Sequence, residues 1–186
     1  MESYELNACV ERLNKLKKDV QRAQKKGLPF IFASVVIWGL ILLSRIFAGD
    51  LRTANLMTFV CCCLLLPLAF LFSRLLKADI FRKTGNPINS LVILSTLNQL
   101  LYLLIAMWAF DSRPDAMLMI YAMIFGAHLL PYSWSYDSKA YLILSIAETV
   151  GALIIAHLLV STATAAFILC GEIVLSLLLY KECKAL

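Results

Sequence analysis

Glu148 and Glu172 each stand inside a long apolar run, about eight or nine residues from one of its ends. A carboxyl group at such depth in hydrocarbon is costly, so it implies a partner, an aqueous cavity or a function. His128 lies in the inner part of another apolar run, and Asn98 with Gln99 lies midway along a further one. Acids, an imidazole and amides gathered at one depth could bind a small solute, an ion or a proton. They could also supply acid-base or metal chemistry to a substrate. The structural alternative is a neutral carboxyl that donates a hydrogen bond between helices.

Helical spacing groups these residues further. Ser95, Asn98 and Tyr102 share one face of a helix, and Tyr141, Ser145, Glu148 and Gly151 or Ala152 share a face of another. Faces that mix polar and small residues belong inside a bundle, so both are expected to point inward. From Gly126 to Lys139 the chain is dense in aromatic and hydrogen-bonding side chains. One reading is a vestibule with His128 and Asp137 as polar contacts and Tyr132, Trp134 and Tyr136 as walls; the other is an interfacial aromatic belt beside a helix end. The expected ligand-binding set is therefore Glu148, Glu172, His128, Asn98, Gln99, Tyr102, Tyr141, Trp134 and Asp137. His157 reads as interfacial, and Asp50, Asp111 and Asp115 as solvated loop charges.

No nucleophile elbow, phosphate loop, zinc-protease helix or dinucleotide fingerprint occurs, so no catalytic motif identifies a reaction. Tyr136-Asp137 matches one half of an intramembrane aspartyl protease signature, without the second half. Cys9, Cys61, Cys62, Cys63, Cys170 and Cys183 contain no C-x-x-C pair and read as small packing residues, neither a disulfide framework nor a zinc site. A Glu148, Glu172 and His128 cluster could hold Zn²⁺ in principle, but no ligand spacing on one helix supports it. No metal or cofactor is expected.

The elements that must position these groups are spanning helices. The chain has 186 residues, 61% hydrophobic and only 16% charged, against about 25% charged in soluble domains; its mean hydropathy is +0.82. At 1.5 Å per residue, crossing about 30 Å of hydrocarbon takes roughly 20 apolar residues. Six segments qualify: 28–47, 54–76, 88–110, 116–132, 140–160 and 163–180. They are continuous apolar runs rather than alternating strands, so the fold class is an all-α polytopic bundle. About 25 polar residues precede the first run, which is therefore expected to be a retained span and not a cleaved leader.

Lys and Arg set the orientation. Fourteen fall in the N-terminal tail, the second and fourth connections and the C-terminus, against Arg45, Arg52 and Arg113 on the other side. Both termini are therefore expected in the cytoplasm, in agreement with an even number of spans. Trp108 and Trp134 lie near span ends, whereas Trp38 is mid-span and is expected between helices. Pro67 should kink the second span by removing a backbone donor, and Pro131 should help end the fourth. No internal repeat supports an inverted-repeat transporter.

Residues 1–27 form a separate basic amphipathic helix ahead of the bundle at 28–186. Leu6, Cys9, Leu13, Leu16, Val20 and Ala23 recur every three or four residues. That stripe suits a helix lying on an anionic inner leaflet, where each Lys or Arg contributes about 1 kcal/mol, or a short coiled-coil seam joining protomers into a homo-oligomer. The former is favoured because the seam is short. Nucleic acid is not an expected partner, because topology already requires the basic excess.

Asn86-Pro87-Ile88-Asn89, Asn98-Gln99-Leu100-Leu101-Tyr102, Gly126-Ala127-His128-Leu129-Leu130-Pro131 and Ser138-Lys139-Ala140-Tyr141 together give a chain that resembles a group of small bacterial multi-spanning proteins of unassigned function. The resemblance covers most of the membrane region. It implies a bacterial plasma membrane protein and no particular activity. Three roles follow from the residues: a bundle whose polar pocket binds or passes a small solute, ion or proton; an integral membrane enzyme acting on a lipid or lipid-linked substrate through His128, Asp137 and a glutamate; or a sensory or interaction subunit that recognises its partner through the basic tail.

Overall fold

The structure is a computed structural model that describes residues 2–80 and 85–186, almost all of them helical, with no strand among the described residues. Arg82 and Lys83, which contribute to the charge count above, lie outside the described residues. Helix α1 (Glu2–Gln24) passes through the turn Lys25–Gly27 into α2 (Leu28–Phe47). There follow α3 (Leu51–Cys62), α4 (Leu65–Leu76), α5 (Pro87–Ser112), α6 (Met117–His128), α7 (Leu130–Ser135), α8 (Lys139–Leu158) and α9 (Ser161–Lys184). Five helical stretches among the described residues are long and apolar enough to cross a membrane, and α3 with α4, bent by 40° at their junction, makes a sixth. The all-α bundle of about six spans is the fold observed.

Two of these stretches are interrupted next to a proline. Pro67 has no amide hydrogen for the carbonyl of Cys63, four residues back. The helix breaks there, and Cys63 and Leu64 turn their amides to Val60 and Cys61 at 3.2 and 3.0 Å. Pro131 does not end the fourth span as expected. The interruption falls at Leu129, and Pro131 sits in the first turn of α7, where a missing donor costs nothing, so the helix resumes to Ser135.

α2 and α9 lie side by side, α2 also packs on α3 and α4, and α8 lies against both α6 and α9. Trp38 is fully buried, its ring 5.4 and 5.3 Å from those of Tyr121 and Phe125. Trp108 and Trp134 are on the surface. α5 packs mainly on α6 and α7 and leaves most of its length exposed.

Lys25, Lys26 and Gly27 take φ values of 47°, 51° and 75°, a left-handed run that turns α1 away from α2. Each non-glycine residue there costs about 1–2 kcal/mol, so other contacts must hold the turn. Lys26 Nζ pairs with Glu182 Oε2 at 2.7 Å and reaches the Asp137 carbonyl at 3.4 Å, while Tyr141 donates its hydroxyl to the Lys26 carbonyl at 2.8 Å. Ser138 donates to the other Glu182 oxygen at 3.1 Å. These bonds gather the start of α2, the start of α8 and the end of α9 at one end of the bundle.

The inner half of the α1 stripe, Leu13, Leu16 and Val20, packs onto the bundle core, while Leu6 and Cys9 remain exposed. The Ala23 carbonyl accepts from the Asp79 amide at 2.7 Å and the Leu16 carbonyl from Asn86 at 2.9 Å. Lys17 Nζ stands 3.7 Å from the centre of the Trp134 ring. α1 is thus fastened to the same end of the bundle that Lys26 ties together. Replacing Glu182 with Ala leaves the buried Lys26 ammonium without its counter-ion. Because Glu182 is itself partly solvated, the expected loss is about 2 kcal/mol, read as a lowered thermal unfolding midpoint in detergent.

Candidate functional site

Glu148 on α8 and Glu172 on α9 are both completely buried. Small residues make this possible. A Cβ on Gly126 of α6 would lie 2.7 Å from the Thr149 amide nitrogen and 3.0 Å from Glu148 Cβ, and one on Gly171 of α9 would meet Glu148 Oε1. Glu148 is therefore wedged between two glycines, the second of them adjacent to Glu172. Ser34 of α2 donates to Glu172 Oε2 or to the Ile31 carbonyl. A hydroxyl has one proton, so when Ser34 gives it to Ile31, Glu172 must be the donor in the short contact between them. Among the described residues, neither Glu148 oxygen nor Glu172 Oε1 has a hydrogen-bond partner.

Ser34 also lines a cavity of about 670 Å³ enclosed by α2, α4, α5, α6 and the turns at the Lys26 end. At that end a polar cluster closes it. Gln24 Nε2 donates to Asn89 Oδ1 at 2.5 Å, Tyr136 donates to Gln24 Oε1 at 2.6 Å, and the Thr96 and Tyr132 hydroxyls are 2.8 Å apart. Burial pushes the Tyr136 hydroxyl well above the ordinary phenol range, so it stays a neutral donor. Deeper along the helices the walls become apolar: Ile31, Leu65, Leu66, Ile93, Leu97 and Phe125. Leu66 of α4 and Ile93 and Leu97 of α5 line the cavity, yet are 57%, 44% and 52% exposed. The cavity therefore opens sideways between α4 and α5. His128 and Gln99 lie on its wall. His128 Nδ1 bonds the Phe125 carbonyl, which fixes the ring and leaves Nε2 as the other polar atom.

Of the residues selected from sequence, His128, Gln99 and Tyr141 line the cavity, and Glu148 and Glu172 stand behind Ser34, outside its lining. Tyr141, Ser145, Glu148 and Ala152 are all buried, so this face of α8 points inward. The corresponding expectation for α5 is overturned. Asn98 and Tyr102 are exposed, because the face of α5 that packs inward is Ile88, Asn89, Val92, Thr96, Gln99 and Ala106, offset by one residue. Polar side chains occur on both faces, and the inward one is fixed by the small Ala106 and Ala109 at the crossing with α6. Trp134 and Asp137 are exposed and do not line the cavity, so the vestibule reduces to Tyr132 and Tyr136. Among the described residues no three His, Cys, Asp or Glu side chains come together as a metal site would need.

Gln24, Ser34, Asn89 and Thr96 are cavity residues that sequence selection passed over. Gln24 sits in what reads as a cytoplasmic tail, Asn89 in a helix start, and Ser34 and Thr96 are lone hydroxyls in apolar runs; none carries a signal before the chain is folded.

A family model matches residues 13–182, from the inner half of α1 to the Lys26 partner Glu182. The chain belongs to the family of unknown function DUF7010. The resemblance drawn from the sequence, to multi-spanning proteins of unassigned function, agrees with that membership. No curated protein and no solved structure matches the chain. The elements that carry the cavity and the carboxyl pair all lie within the DUF7010 match.

The wedge at Glu148 generates a paired prediction. Gly171→Ala puts a methyl into the Glu148 carboxyl and should destabilise the bundle by about 1–3 kcal/mol. Gly39→Ala, whose methyl meets nothing within 4 Å, should leave stability unchanged or raise it by up to about 1 kcal/mol. Thermal unfolding of both variants in one detergent measures the contrast.

Proposed function

We propose that this DUF7010 protein binds an amphiphilic, lipid-like molecule that enters sideways between α4 and α5. The observation that carries the reading is the asymmetry of the cavity. Gln24, Asn89 and Tyr136 lie at the end where α2, α5 and α8 begin, and the walls that run from there toward mid-bilayer are mainly apolar, with Thr96 and Gln99 further along them. A lipid in one leaflet has the same layout, with a polar group at the interface and a chain pointing to the midplane. A mostly apolar pocket with a few placed polar groups is also the usual form of a small-molecule site. The polar group of the ligand would meet Asn89 and His128, and its chain the walls formed by Leu65, Val92 and Leu97.

A hydrophilic solute fits this lining poorly, because most of its surface would face side chains that cannot replace water. The enzyme reading loses Asp137, which is exposed, and His128 alone carries no reaction. Signalling through the basic tail is weakened by the docking of α1 on the bundle, which leaves only the outer part of its stripe uncovered.

One observation favours a second reading. The Glu148 oxygens are buried without partners, and Ser34 links Glu172 to the cavity wall. A proton or small cation held by the carboxyl pair has this hydroxyl as its contact with the cavity. In reconstituted vesicles, any proton or sodium flux carried by the protein should be lost in Glu148→Gln; flux at the wild-type rate in that variant removes this reading.

The amphiphile reading is tested by filling the cavity. Val92→Trp should reduce the lipid-like molecules that copurify with the protein, quantified by mass spectrometry of solvent extracts, by at least about tenfold, while circular dichroism stays unchanged. A folded Val92→Trp protein that retains the wild-type complement of bound amphiphile contradicts it.

A further inference from the structure

The outward turn of Asn98 leaves an amide in the middle of a spanning helix with no side-chain hydrogen-bond partner among the described residues. The residues around it have a regular spacing. Leu91, Ser95, Asn98, Tyr102 and Ile105 alternate steps of four and three, the repeat of a helix-pairing seam. Four of them, Leu91, Asn98, Tyr102 and Ile105, are exposed, and Ser95 is half-exposed with its hydroxyl turned to the Leu91 carbonyl at 2.9 Å. Among the five unbroken spanning stretches of the described residues α5 is the barest, with only 11% of its apolar window buried.

We propose that this seam is a homodimer interface, in which a second copy of the chain packs along α5 and the two Asn98 amides hydrogen-bond to each other. Lipid tails can cover the leucines of the seam but offer the amide neither a donor nor an acceptor. A carboxamide has both, so it is complementary to its own copy. Copies inserted in the same orientation place Asn98 at the same depth, and a twofold axis along the membrane normal brings the two side chains face to face. A single asparagine in such a seam is the known device for fixing a parallel pair in register. The Tyr102 hydroxyl one turn away, equally able to give and accept, extends the polar strip.

The interface leaves the cavity mouth clear. At 3.6 residues per turn, Ile93 and Leu97 project about 140° and about 100° away from Asn98. Dimerisation along Asn98 and entry between α4 and α5 thus use different sides of the same helix, and the dimer stands whether or not the cavity binds an amphiphile.

The test is photobleaching-step counting of the full chain, labelled at its C-terminus and reconstituted in phosphatidylcholine–phosphatidylglycerol vesicles over a range of dilutions. Wild type should show two-step traces that give way to single steps on dilution. Asn98→Leu should raise the dimer dissociation constant about tenfold or more, Asn98→Gln should largely restore pairing because it keeps donor and acceptor, and Leu100→Ala, outside the seam, should pair as wild type does. Circular dichroism establishes that each variant is folded. Single-step traces from wild type at every dilution, which would leave the face to lipid or to a different protein, overturn the proposal; so does an Asn98→Leu dimer as tight as wild type.

Discussion

An ammonium group taken out of water must be paired, and the pairing of Lys26 organises one end of this bundle. Its left-handed turn exists only because Glu182, Ser138, Tyr141 and the Asp137 carbonyl converge on it from α9 and α8. That convergence places Gln24 against Asn89 and Tyr136, and those three side chains form the polar end of the cavity. The Lys26 tie and the bonds from Asp79 and Asn86 to the carbonyls of α1 together fix the angle of α1 to the bundle and close the polar end of the cavity. The lateral opening has the opposite origin: α4 and α5 pack chiefly on other helices, which leaves the space between them open among the described residues.

The carboxyl pair obeys a separate rule. Glycines at 126 and 171 bring three helices close enough to exclude water from Glu148, and Ser34 contacts both Glu172 and the cavity. Packing at these glycines therefore sets the depth of the acids, while the Lys26 cluster sets the polarity of the ligand space. The two devices share their helices: α2 carries the turn at its start and Ser34 two turns further on, α8 carries Tyr141 and Glu148, and α9 carries Glu172 and Glu182.

Much of this was legible in the sequence, and the boundary is physical. Span length and hydrophobicity give the bundle, because hydrocarbon thickness fixes how many apolar residues a crossing needs. Pro67 marks a break because its missing amide acts locally. Pro131 misleads because the same missing amide is harmless in a first turn, and which turn it occupies depends on Leu129. Glu148 was recognisable from its cost in hydrocarbon alone. Asn98 and Gln99 are adjacent amides of equal polarity, and it is the packing of α5, with Ala106 and Ala109 fully buried, that turns Gln99 in and Asn98 out. Gln24 and Asn89 had no local signal, since their partner in each case is more than sixty residues away.

The central claim is that the cavity holds an amphiphile with its polar group at the Gln24–Asn89 end. An experimental structure of the protein in nanodiscs made from native membrane lipid tests it most directly. Elongated density from beside Asn89 and His128, past Leu97 and out between α4 and α5, is the expected result; α4 closed against α5, or a cavity containing only water, would contradict it.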